Sequence, residues 1–191
     1  IDQNKANGYD VYNVAPEGVF KEAFEYGSGL VFSDANNITV KGVTIQNSTL
    51  HNLTFWDCDN VNFNNIKLYN AHDKNILLHR AYNFRGSDVY IDGSDFEDGL
   101  SIYSGNDNGV INNFHIKNCN RVGIRTGGSD NDSNNVVINN ILIEDCTAAI
   151  SSVETNNIKF NNINIKGCGY DSLLSAATEI IYLNEVRPYW F

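Results

Sequence analysis

The 191-residue chain has no methionine, two prolines and four cysteines. Basic side chains are also scarce: 13 Lys and Arg face 23 Asp and Glu, for a formal net charge of −10. A nucleic-acid partner, which would want a basic face, is therefore not expected. No apolar run approaches the ~20 residues of a membrane helix, so no membrane span is expected. No Cys-x-x-Cys pair is present, which argues against structural zinc. Four cysteines in a chain of this size do not make a disulfide scaffold. Nucleotide loops, Ser-His-Asp order and zinc motifs are missing as well. A chain that lacks Met and opens on Ile1 reads as a mature form or an excised piece of a longer one. Its length suits one domain with a real core.

What the sequence has in excess is asparagine, about one residue in six. Asn tolerates left-handed turns and bonds to nearby backbone. Here it is interleaved with Val, Ile and Phe in a repeating template. The template runs Asn, apolar, any, apolar, any, Gly or Asn, apolar, any, apolar, any, Asn or Asp, small. Residues 37–48 (NITVKGVTIQNS), 60–71 (NVNFNNIKLYNA), 88–99 (DVYIDGSDFEDG), 108–119 (NGVINNFHIKNC), 135–146 (NVVINNILIEDC) and 157–168 (NIKFNNINIKGC) fit it. Ser94 and Gly109 stand at apolar places of two copies. The copies start roughly 20 to 28 residues apart.

Each copy holds two period-2 runs, and period 2 means strand. Gly or Asn between them supplies a left-handed bend. A third short strand follows at 53–55, 76–78, 100–102, 124–126 and 150–152. Three strands per coil predict an all-β, right-handed, single-stranded parallel β-helix of about seven to eight coils. The expected division of the single domain is 1–28 for an N-terminal cap and first coil, 29–176 for regular coils, and 177–191 for a C-terminal coil or cap. Residues 16–26 (PEGVFKEAFEY) read as a short capping helix. Tyr189, Trp190 and Phe191 would cover the far end. Stacked coils turn Asn47, Asn70, Asp98, Asn118 and Asp145 into a polar ladder at one bend. Cys119, Cys146 and Cys168 fall in one inward column, either as free thiols or as a bridge between adjacent coils. Asn37, Asn47, Asn52 and Asn131 begin Asn-x-Ser/Thr sequons.

A filled β-helix must bind ligands on an outer face. The third strand is the candidate, because Trp56, His79, Tyr103 and Arg125 occur at or beside it on successive coils. Upstream lie His51, Asp73, Lys74, Asp95, Glu97 and Asp98. Rings beside carboxylates suit a sugar, whose C–H face stacks while its hydroxyls bond to acids. Glu97 and Asp98 are neighbours and would point to opposite faces of a straight strand; a bend at Gly99 would let both reach the groove.

On these motifs the chain resembles the pectin-lyase-like β-helix superfamily, and within it the polygalacturonase family of glycoside hydrolases. Residues 97–105 (EDGLSIYSG) are similar to the family's Asp-Asp-Cys-Ile-Ala-Ile-Lys-Ser-Gly stretch, which carries two catalytic acids. VKGVTIQNS and FWDCDNVNFNNIKLYN resemble the coils before that site. The family's Asn-Thr-Asp-Gly aligns with His72-Asp73-Lys74-Asn75. Its Gly-His-Gly aligns with Arg121-Val122-Gly123, and its Arg-x-Lys with Ser151 and Val153.

The resemblance implies an extracellular or cell-surface protein that hydrolyses a polysaccharide. Glu97 and Asp98 would be the catalytic acids, assisted by Asp73 or Asp95. Trp56, Lys74, His79, Arg80, Tyr103 and Arg125 would bind the sugar. One alternative is a polysaccharide lyase or uronate epimerase, with Lys74, His79 or Tyr103 moving the proton and Arg80 or Arg125 neutralising the substrate. Another is a non-catalytic glycan-binding module, such as a stalk or tailspike segment. No cofactor is expected; residues 127–135 (GGSDNDSNN) offer oxygen ligands to calcium but read more simply as a turn.

Overall fold

The structure is a computed structural model. It describes residues 28–127 and 133–178, with the backbone alone from residue 170, together with three two-residue strands nearer the ends. In chain order the strands are β1 (Lys5–Ala6), β2 (Tyr9–Asp10), β3 (Leu30–Ser33), β4 (Asn36–Lys41), β5 (Thr44–Gln46), β6 (Leu53–Ala71), β7 (Ile76–Tyr82), β8 (Arg85–Ser94), β9 (Leu100–Tyr103), β10 (Asp107–Cys119), β11 (Val122–Thr126), β12 (Ser133–Glu144), β13 (Ala148–Lys166), β14 (Tyr170–Thr178) and β15 (Ile181–Tyr182). β1 and β2 form an antiparallel pair. Every pairing from β3 onward is parallel, and each strand pairs with the next coil. The chain is a parallel β-solenoid with three faces per coil and about six turns. The expected capping helix at 16–26 and the aromatics at 189–191 lie outside the described residues.

Register follows the inward apolar positions. On the first face Leu30, Leu53, Ile76, Leu100, Ile124 and Ile150 lie over one another. Phe32, Phe55, Leu78 and Ile102 form the next inward column. A slip by one residue would turn every such column outward, so the buried face fixes the register. Phe32 stacks on Phe55, Phe55 on Phe63, and Phe63 meets Phe114 edge-on.

The asparagine excess is a backbone property. Asn37, Asn60, Asn83, Asn108, Asn135 and Asn157 take positive φ at one corner; Gly42, Asn65, Asp88, Asn113, Asn140 and Asn162 do so at the second. At the third corner the column is Asn47, Asn70, Gly93, Asn118, Asp145 and Gly167. Left-handed backbone is costly for most L-residues and least so for Gly, Asn and Asp, which explains the composition.

Those columns correct the third repeat. It spans 83–94 (NFRGSDVYIDGS), not 88–99. Gly93, not Asp98, is the ladder position, so Asp98 is no rung. The cause is local. Ala71 aligns with Ser94, and Ile76 with Leu100, so the turn after Ser94 is one residue longer than the turn after Ala71. The sequence template skipped to the wrong Gly because Ser94-Asp95-Phe96-Glu97-Asp98-Gly99 mimics a strand, bend and ladder position.

Gly86 and Gly109 occupy inward apolar positions, because large rings from the coils before them fill that space. A Cβ at Gly109 would overlap the Phe84 ring, and one at Gly86 the Phe63 ring. Gly109→Ala should therefore lower stability by about 1–3 kcal/mol, the usual cost of overpacking, read as a lower midpoint in urea unfolding.

Cys58, Cys119, Cys146 and Cys168 are all free thiols, the first three buried. No bridge joins adjacent coils there. Hydrogen bonding to Cys119 heads the causes that push the Cys146 thiol up to about 12, so it stays protonated and unreactive at neutral pH. Of the sequons, Asn52 is closed to modification: it is fully buried and bonds to Asn75.

Candidate functional site

Outward positions of the first face carry the stripe foreseen from the sequence. Ser33, Trp56, His79 and Tyr103 share one column. The Trp56 and His79 rings stack at 3.7 Å between centroids, and His79 and Tyr103 at 5.9 Å. His79 is buried between its half-exposed neighbours. Arg125 belongs to the adjacent column, over Ser101. Its guanidinium nevertheless lies 5.6 Å from the Tyr103 ring centroid, so it extends the stripe by a cation–π contact. Arg80 caps the other end, 5.6 Å from the Trp56 centroid. Arg80 is also held by both oxygens of Asp57. Bonds from Arg80 keep the Asp57 carboxyl below the usual carboxylate range, against the opposing effect of its partial burial.

A charged row runs beside the stripe, on the turns that lead into the first face. Lys74 Nζ lies 3.1 Å from Asp73 and 3.4 Å from Glu97. Arg121 donates to the same Glu97 oxygen. Burial alone would raise Glu97, but the charges of Lys74 and Arg121 and their hydrogen bonds outweigh it, so its carboxyl titrates below the ordinary range. His51 is driven down to about 3, chiefly by burial and then by the Lys74 charge. It is therefore neutral, and its Nδ1 accepts the Lys74 backbone N–H. Its 3.3 Å approach to Asp73 is no ion pair at neutral pH.

Asp98 is different. It is fully buried at the start of the first face. Its Oδ2 accepts the Ser101 hydroxyl at 2.6 Å, and its buried Oδ1 has no hydrogen-bond partner. Burial raises its pKa above the ordinary carboxylate value, and the Glu97 charge adds to this against Ser101, Arg125 and Lys74. The two sequence neighbours are thus pushed in opposite directions, Glu97 below the ordinary carboxylate value and Asp98 above it. The longer turn produces the contrast by letting Glu97 meet Lys74 and Arg121 while Asp98 turns inward.

Asp95 stands elsewhere. It is well exposed and approaches His72 at 3.8 Å. The structure gathers Asp73, Lys74, Glu97 and Asp98 along one edge of the stripe and leaves Asp95 outside that network. Sequence reasoning missed three polar residues behind the site. Asn52, Asn75 and Asn106 are fully buried, and the side-chain amide of each donates to a carbonyl oxygen of a neighbouring residue. Asn106 also accepts the Ala81 N–H, whereas the buried Asn52 Oδ1 has no partner. Among so many surface asparagines, only the register separates these three. Among the described residues no group of three or more His, Cys, Asp or Glu side chains is arranged to hold a metal ion.

No family model matches the chain, and no curated protein matches it. Among solved structures, the catalytic domain of a GH87 alpha-1,3-glucanase D1068A in complex with tetrasaccharides is similar at 12% identity and a TM-score of 0.26. The match covers 84% of this chain and 54% of that one. The chain thus spans about half of that domain, and at this level the likeness says nothing about activity.

Proposed function

We propose that this β-solenoid acts on a polysaccharide, hydrolysing a glycosidic bond beside the stripe of the first face. The observation that carries the reading is the Glu97–Asp98 contrast at the edge of stacked rings. Neighbouring carboxyl groups whose pKa values are pushed apart are what a general acid and its partner need. Sugar rings lie along Trp56, His79 and Tyr103. Asp98 donates its proton to the leaving oxygen, and ionised Glu97 accepts the water proton or attacks the anomeric carbon. Asp98 Oδ1 is covered in the free protein, so the sugar must uncover it. Lys74 keeps Glu97 ionised and links it to Asp73.

The substrate class is a neutral glycan. Lys74, Arg80 and Arg121 are each already held by a carboxylate, and the chain is strongly acidic. Such a surface does little to recruit a polyanion. The same pairing takes Arg80 from the lyase or epimerase alternative and leaves it Arg125, stacked on Tyr103, to neutralise a uronate. Polymers of this kind are met outside cells, which suits an extracellular or cell-surface site of action.

Burial of Asp98 favours one second reading, a glycan-binding module without catalysis. Reducing-end release from neutral β- and α-glucans, xylan and mannan separates the two. Hydrolysis of one polymer, lost in Glu97→Gln, is the expected result. Binding without release by the parent protein would leave only the binding module.

A further inference from the structure

A hollow of about 440 Å³ lies at the third corner, lined by Asn47, Ser48, Thr49, Asn70, His72 and Asp95. It is one corner away from the stripe, before the charged row in chain order. The longer turn after Ser94 builds its rim. That turn leaves Phe96 70% exposed, with its ring 5.1 Å from the ring of His72. Asn70 donates to Asn47 across the coils, so both amides are held in place. Gly93, next in that column, matters too: a Cβ there would press on the Asn70 amide oxygen. The wall therefore holds two fixed amides and the Ser48 and Thr49 hydroxyls, beside one exposed ring and one exposed carboxylate.

We infer that this hollow is a second, non-catalytic binding site for a neutral pyranose unit. The Phe96 ring offers an apolar platform for the C–H face of a sugar, and Asn47, Asn70 and Asp95 offer partners for its hydroxyls. The volume falls in the range of small-molecule sites. Asp95 stands against an anionic sugar, which fixes the class as neutral. A unit held here anchors the polymer on the same coils that carry Lys74 and Glu97. The inference rests on the carbohydrate reading but not on hydrolysis.

The test is a titration of the full chain, as Glu97→Gln so that ligand is not consumed, with cellohexaose, laminarihexaose, maltohexaose and xylohexaose, followed by NMR. The expected result is that at least one of them shifts the side-chain amides of Asn47 and Asn70. Phe96→Ala then weakens that response roughly tenfold, Phe96→Tyr retains it, and the Trp56 indole response is unchanged. Phe96 is exposed, so its loss leaves the fold intact. If no hexasaccharide moves the two amides, or Phe96→Ala leaves the affinity as it was, the inference is overturned. A response at Trp56 alone would overturn the hollow and spare the stripe. A response in the hollow from a parent protein that cleaves nothing would spare the hollow and overturn the hydrolase.

Discussion

Asp98→Asn is expected to abolish most turnover while raising thermal stability at neutral pH. The loss follows from removing a general acid, worth about 10²- to 10⁴-fold. The stability gain follows from linkage. The folded-state pKa of Asp98 lies above its unfolded value, mainly through burial. The folded protein therefore holds the proton more tightly. The stability this contributes is fully present below the unfolded pKa and is lost as pH rises through the folded one. Above that point the parent buries a charge. Asparagine has the same shape, can still accept from Ser101 and never ionises. The checks are hydrolysis rates and melting temperatures of both proteins between about pH 4 and pH 8. Equal melting curves across that window would mean Asp98 carries no raised pKa. Full turnover in the variant would remove it from the reaction. A ladder asparagine such as Asn118 has no such pH-dependent signature.

Asn75→Ala is expected to be the most damaging single substitution of a polar residue. The side chain is fully buried. Its amide donates to the Gly93 carbonyl at 2.7 Å, and its oxygen accepts from Asn52 at 2.7 Å. Truncation removes both bonds, leaving the Gly93 carbonyl without this donor and one Asn52 N–H without its acceptor, at about 1–3 kcal/mol each. It also opens a void in a close-packed wall. The backbone of Asn75 bonds to Asp98, so the damage reaches the turn that carries Glu97 and Asp98. Denaturant unfolding should show a loss of several kcal/mol by that reasoning. A variant within about 1 kcal/mol of the parent would mean that water or a shifted Asn52 replaces the lost bonds.

The repeat was legible because its signal is physical at every copy: apolar residues at period 2, and Asn or Gly where the backbone must turn left-handed. The stripe was legible for the same reason, since equivalent third-strand positions lie over one another. What failed was phase. Around Ser94 a single added residue let two alignments compete, and composition could not decide between Gly93 as a mid-face bend and as a corner. That slip put Asp98 in a ladder and hid the burial that distinguishes it from Glu97. Arg125 sits one column from Tyr103 and still joins the stripe, because a guanidinium reaches several ångströms from its own Cα. Asn52 and Asn75 looked like surface because an internal amide and an external one are the same letter; only the Leu53 and Ile76 register turns them inward.

The described coils meet only their neighbours, and the bonds between them run along a single axis. Disruption must then begin at an end and travel inward, like fraying rope. Glu97 and Asp98 sit midway along the described stack, where fraying arrives last, whereas the hollow reaches the first described coil through Asn47. The described stack can lose its outer coils and keep the arrangement of its middle.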